Sequence, residues 1–357
     1  HSSLYATALA LESESGDMQA VVVACDLVKV EGTILKQVRE YIADKMEGFQ
    51  DVNNIMIFAS HTHTGPNISQ CIDTVVTGIG DAIIEAWSNR TEGSISHVPG
   101  VTSLGWCRTV RYEDGHDVMY GETNNPTKEP GFKEFAAGTD RSLNLLYFYQ
   151  GDELKGVLLN PNFPFQCNET ETEVSADITG QLRERFPGLC ILPIIGAAGD
   201  QCPYDLTREY YSQVGFGNEV RLGNILADEI ESYISDGTAE SNKRSTLSQA
   251  HRYKGITVNM TQKYGGAEDT LELHALKLGD VVLVNNLFEL YVDFGYSIKA
   301  RSMAPYTIVG QLSSDAAARF GEFWYVATED SEEGGAYGAV DTRFGSLAGQ
   351  QLADQTV

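Results

Sequence analysis

Two histidines one residue apart, His61 and His63, stand in the run Ser60-His61-Thr62-His63-Thr64-Gly65-Pro66. Neutral imidazoles are good donors to transition metals. Positions i and i+2 of a strand face the same way, so the pair is expected to share one face. Gly65 and Pro66 end the strand and expose the pair. On spacing alone the pair serves either a metal or the hydrogen bonds of a turn. Two of only seven histidines meeting here favours the metal.

A second run, Gly199-Asp200-Gln201-Cys202-Pro203, is a tight turn of small residues that can bring backbone close to a ligand. Cys202 is a nucleophile if a histidine or metal stabilises its thiolate, and otherwise an inert buried thiol. Asp200 is a ligand or a turn-capping residue. Glu289 lies between the apolar run VVLVNNLF and a helical stretch, where a carboxylate holds a metal or caps the helix. Tyr325, in FWYVATED, reads as a core aromatic on its own. Arg108, in GWCRTVRY, is an anion or carbonyl clamp, or a surface ion-pair partner.

These residues need a scaffold, and the first half of the chain alternates strand and helix patterns. Leu4 to Leu11, Ala20 to Leu27 (AVVVACDL) and Asn54 to Ser60 read as strands, the last two buried. Glu31 to Met46 and Gln70 to Trp87 carry apolar residues at helical spacing. Gly100 to Gly138 is rich in Gly, Asn, Pro and charge and is expected to be a long surface excursion. Strands are expected at Asn144 to Tyr149, Lys155 to Leu159 and Cys190 to Ile195. Helices are expected at Asp177 to Phe186, Val220 to Ile234 and Leu290 to Ser302. Ser248 to Leu287 is mostly β, with late strands at Thr307 to Gln311 and Phe323 to Val326. The fold class is therefore α/β, with mixed β-sheets layered with helices in a single domain, and His61 and Cys202 at one sheet edge.

The chain has 357 residues and a net charge of -25, from 50 acidic and 25 basic residues. That balance excludes broad attraction to nucleic acid and argues against docking on anionic lipid surfaces. No apolar run of about 18 residues offers a transmembrane helix. The six cysteines form no CxxC pair, so a zinc ribbon and a thioredoxin motif are absent. The chain opens at His1 with neither an initiator Met nor a signal peptide, so it reads as processed, and compartment and oligomeric state stay open.

In order along nearly the whole chain, LYATALALE, VVVACDLV, NIMIFASHTHTGP, VSADITGQL, GDQCPYD, FELYVDFGYSIKARS and WYVATEDSEEGGAYG resemble the neutral/alkaline ceramidase family. The resemblance implies one catalytic domain over residues 1–357, without that family's C-terminal immunoglobulin-like domain, and a secreted or periplasmic setting. It implies a hydrolase that cleaves the N-acyl amide of ceramide, or a related amide or ester, by water activated on one zinc ion. The implied partner is a small-molecule or lipid substrate. Carried over, His61, Glu289 and Tyr325 are metal ligands, His63 and Arg108 are catalytic neighbours, and His1 lines the substrate pocket. Such a zinc acidifies bound water and polarises the amide carbonyl. Two departures stand out. The family's second ligand histidine is missing from Asn160-Pro161-Asn162-Phe163-Pro164-Phe165-Gln166-Cys167, where Cys167 is a soft alternative, and Cys202 replaces the family's active-site serine. They leave open a catalytically inactive binding protein that has lost the metal, and a thiol enzyme in which His63 activates Cys202.

Overall fold

A computed structural model describes residues 2–169, 171–209, 213–259, 268–316, 325–340 and 342–357. Three sheets carry the fold. In the first, Ala6–Glu12 lies antiparallel to Gln19–Cys25, which runs parallel to Ile55–Ala59 through the crossover helix Gly32–Ile42. The second has the order Cys190–Pro193, Glu153–Asn160, Ser142–Gln150, Ser94–Val101. The third has the order Gln249–Asn259, Glu268–Leu278, Val281–Asn285, Tyr306–Gly310.

Strand alternation explains how they stack. Successive side chains of a strand point to opposite faces. Val21, Val23, Ile57, Leu145 and Tyr147 join one core with helices Gly32–Ile42, Ile72–Ser88, Ile178–Arg185 and Phe216–Ser235. Their neighbours Ala20, Val22, Phe58, Leu146 and Phe148 join a second core with Leu276, Leu278, Leu283 and Ile308 of the third sheet. The opposite face of that sheet, with Leu271, Leu273, Val284 and Val309, packs on helices Val292–Arg301 and Gly345–Thr356. The layers therefore run helix, sheet, sheet, helix, as the strand and helix patterns predict for a mixed α/β sandwich. Strands buried on both faces need the continuous apolar runs of AVVVACDL and NIMIFAS.

The stretch from Gly100 to Gly138 departs from the expected surface excursion. It forms a small sheet of Asp117–Met119, Thr109–Tyr112 and Phe132–Phe135, with Val110, Met119 and Tyr112 buried. Its polar, Gly-rich composition belongs to the turns, such as Gly115 at φ 90°, and masks the short strands between them. Residues 323 and 324 of the late expected strand lie outside the described residues, and Tyr325–Val326 is a strand. Among the described residues no helix is long and apolar enough to cross a membrane, and the six cysteines are free thiols.

A buried polar chain ties the third sheet to the first. His251 Nδ1 lies 2.9 Å from Asn54 Oδ1, and its Nε2 lies 3.2 Å from His274 Nδ1. His274 Nε2 lies 3.2 Å from Glu272 Oε2, which also accepts from Arg39 Nη2 at 3.1 Å. Burial works to raise Glu272, but the bonds from His274 and Arg39 outweigh it and hold the carboxyl at about 2. Burial, then the neighbouring His274, push His251 down to about 4. A histidine held below its ordinary 6.5 is protonated more readily unfolded than folded. Its contribution is therefore complete above about pH 6.5 and is lost as pH falls towards 4. Replacing His251 by Asn is expected to remove that dependence. The stability gap between the two proteins should shift by an amount on the order of 3 kcal/mol across this window, measured by urea unfolding at stepped pH. A gap independent of pH would overturn the assignment.

Candidate active site

The strand Ile55–Ala59 ends one residue before Ser60, so His61 and His63 do not share a face by strand alternation. Ser60 N still donates to Cys25 O at 2.9 Å and His61 N to Leu27 O at 3.0 Å, extending the parallel pairing past the strand end. His61 then turns into the left-handed region at φ 66°. Such a conformation costs a non-glycine residue about 1–2 kcal/mol. Among the described residues only Asp177 and Leu312 join it as non-glycines with positive φ, and both bear on the same turn. Leu312 O accepts from Ala59 N. Asp177 belongs to the Ser175-Ala176-Asp177 corner, whose Ser175 carbonyl accepts from the hydroxyls of Thr62 at 2.8 Å and Thr64 at 3.0 Å.

The turn brings the two imidazoles together. His61 Nε2 and His63 Nε2 are 3.2 Å apart, with the rings edge to face at 76°. His61 Nδ1 sits 2.9 Å from Val28 O, so Nδ1 carries the proton and Nε2 presents its lone pair. His61 is buried, and burial pushes it down to about 4, with Val28 O resisting and Arg108 adding to the fall. His63 keeps an exposed outer edge. Burial of its inner side, then His61, lower it to about 4, while Glu169 and Glu289 resist. Both rings are neutral near pH 7, the form that binds metals.

Glu289 and Tyr325 arrive as a registered pair. Two short parallel strands, Glu289–Leu290 and Tyr325–Val326, place the two residues side by side. Glu289 is buried and its Oε2 lies 3.8 Å from His61 Nε2 and 3.9 Å from Arg108 Nη2. Arg108 Nη2 donates to Tyr325 Oη at 2.7 Å and to Gly199 O at 3.1 Å. Burial drives the Tyr325 phenol up, against the pull of Arg108, so at rest it is a neutral phenol. Burial disfavours the Arg108 charge, yet Tyr325 and then Glu289 restore it and the guanidinium stays cationic.

The Gly199-Asp200-Gln201-Cys202 turn is the hub between these parts. Asp200 O accepts from Arg108 N at 2.8 Å, Asp200 Oδ1 from Val292 N at 2.9 Å, and Gly199 N donates to Leu290 O at 2.9 Å. Burial raises the Asp200 carboxyl to about 6. Asp200 thus serves as a cap and spacer, one of the two roles its position in a turn allows. A Cβ on Gly199 would lie 2.3 Å from Glu289 O and 2.9 Å from Tyr291 Cδ1, so the glycine is what lets the two segments touch. Gly199→Ala is expected to force them apart at a cost of about 1–3 kcal/mol. Thermal melts would show the loss, and an unshifted midpoint would mean that the turn yields without strain.

Cys202 lies in the strand pair Gln201–Cys202 with Trp106–Cys107, beside Arg108. It is a buried thiol that faces Tyr204 O at 3.7 Å, and burial pushes it up to about 12. That environment supplies a neutral polar group and opposes a thiolate nucleophile. Cys167 Sγ turns away to Asp177 Oδ1 at 3.0 Å. His1 lies outside the described residues.

Gln166 and Glu169 join the site although their types gave no strong signal. Phe165 N donates to Ser60 O at 3.2 Å, which lays this segment along the histidine turn. Gln166 Nε2 donates to Glu169 Oε1 at 2.6 Å, and the Glu169 charge acts on His63. Gln311 is another silent member. Its Oε1 accepts from both Ala198 N and Leu290 N, joining the hub to the Glu289 strand.

The donor chemistry fits a zinc ion in part. Two nitrogens on a tetrahedral zinc, each about 2.0–2.1 Å from it, lie roughly 3.3 Å apart, close to the 3.2 Å between His61 Nε2 and His63 Nε2. A buried carboxylate stands within reach. Tyr325 is engaged by Arg108, and among the described residues no three His, Cys, Asp or Glu side chains already surround one point.

The layered sheets have the fold seen in solved ceramidase structures. The structure of neutral ceramidase from Pseudomonas aeruginosa matches 100% of this chain and 68% of its own, at a TM-score of 0.73 and 15% identity. A ceramidase complexed with C2 matches over 99% of this chain and 68% of its own, also at 0.73 and 15%. No protein-family model matches the chain, and no curated protein matches it by sequence. At this identity the likeness is one of fold.

Proposed function

We propose that the chain is a ceramidase-like amidohydrolase that cleaves an N-acyl amide such as ceramide into a fatty acid and a sphingoid base. The observation that carries this reading is the convergence of His61, His63, Glu289, Arg108 and Tyr325 on one place in a ceramidase fold. His61 and Glu289 would hold the zinc, whose chemistry when bound is to acidify water and polarise the amide carbonyl. Arg108 is a fixed cation whose charge favours oxyanion development at that carbonyl. Tyr325, whose hydroxyl is held by Arg108, would offer that hydroxyl to a substrate oxygen. Cys202, beside Arg108, would stay a neutral thiol.

The experiment is hydrolysis by the zinc-supplemented full chain of a panel of N-acyl sphingoids, N-acyl amino acids and N-acyl sugars. Release of fatty acid that chelation abolishes supports the reading, and no release from any of them overturns it. A second reading, a binding relative without a metal, draws on one observation: Gln166, not an imidazole, lies along the His61 turn. Failure to retain zinc together with saturable ceramide binding would favour it.

A further inference from the structure

We propose that His63, rather than a residue of the Asn160 to Cys167 segment, supplies the second nitrogen ligand of the metal centre. This rests on the reading of that centre as a zinc site. The 3.2 Å between the two Nε2 atoms suits a shared ion as well as it suits a hydrogen bond. His61 is committed: its Nδ1 proton belongs to Val28 O, so its Nε2 is a lone pair. A His63 that donated Nε2–H to it would close the pair without a metal. His63 is exposed, so water can instead meet a proton on its Nδ1, and that tautomer leaves Nε2 a lone pair for a metal.

The other candidates are engaged elsewhere. Cys167 Sγ donates to Asp177 Oδ1, and burial keeps it a thiol. Tyr325 Oη accepts from Arg108. The Gln166 amide nitrogen bonds Glu169. His63 is thus the donor aimed at His61. Two histidines and one carboxylate are a recurrent catalytic zinc set that keeps a position open, and His61, His63 and Glu289, which do not already surround one point, would close on the ion to form it. In such a set the Arg108–Tyr325 pair stands outside the ligands, free to meet a substrate oxygen.

Zinc affinity of the full chain can be read by competition with a chromophoric chelator, and imidazole count by X-ray absorption of the zinc-loaded protein. Loss of an outer partner of a ligand already costs about 10–100-fold in affinity, so His63→Ala is expected to cost about 100-fold or more. The absorption spectrum should fall from two imidazoles to one, and Tyr325→Phe should change affinity less than about threefold. His63→Gln, with a circular dichroism melt, guards against misfolding. Zinc bound equally by wild type and both His63 variants, or one imidazole in the wild type, overturns the proposal and leaves the zinc reading standing. No zinc bound by the wild type overturns both.

Discussion

If the chain hydrolyses an amide as proposed, Arg108→Ala is expected to lower kcat by about 10²–10³-fold, the usual cost of removing one preorganised oxyanion donor. The residue is fixed at both ends. Its backbone N bonds Asp200 O at 2.8 Å, and its Nη2 bonds Gly199 O at 3.1 Å and Tyr325 Oη at 2.7 Å. A donor already held in place needs no reorganisation when charge develops, so its worth appears in the transition state and kcat falls more than KM rises. The Arg108 Nε is buried without a partner, which means that desolvation of this guanidinium is only partly offset within the protein. Arg108→Lys keeps the charge and loses the planar fork, so it should recover part of the rate and not all of it. Steady-state kinetics on the best N-acyl substrate, at matched zinc content, decide the matter. A kcat for Arg108→Ala within threefold of wild type would remove Arg108 from the chemistry.

Much of this site can be read from the chain, and the parts that cannot share a cause. His61 and the Gly199 turn stand out because each follows an apolar run that ends abruptly, and strand ends are where an α/β sheet presents ligands, whereas Glu289 by itself reads equally as a helix cap. Arg108 and Tyr325 are recognisable only through the resemblance to a ceramidase, since an Arg in GWCRTVRY and a Tyr in FWYVATED are ordinary by themselves. Gln311 and Ser175 escape for another reason. Both work through long-range contacts: Gln311 bonds Ala198 across 113 residues, and the Ser175 carbonyl bonds Thr62 across 113. Spacing along the chain carries no trace of such pairs. The left-handed turn at His61 is likewise invisible, because its stabilisation comes from Leu27 and Val28 on the neighbouring segment. The strand rule predicts the meeting of the two histidines, and a different geometry brings it about.

Gln166→His should tighten zinc by about 10–100-fold, a gain of the size that supporting groups are known to confer on a metal site. The position is prepared for it. Phe165 N is pinned to Ser60 O at 3.2 Å and the Gln166 carbonyl accepts from Tyr204 Oη at 2.9 Å, so the backbone is held on both sides of the substituted side chain. The side chain is buried, and His and Gln are of similar length. The bond given up is a hydrogen bond to the exposed Glu169 carboxylate, a loss on the order of 1–2 kcal/mol in stability. The sharper result comes from the double variant. If His63 and residue 166 are alternative sources of one nitrogen donor, Gln166→His must restore most of the zinc affinity that His63→Ala removes. Its effect in that background must then exceed its effect in the wild type. Equal effects in both backgrounds would mean two independent donors, and no effect in either would place residue 166 beyond reach of the ion. Chelator competition on the four proteins of this cycle measures the coupling directly, because residues that share one partner depart from additivity.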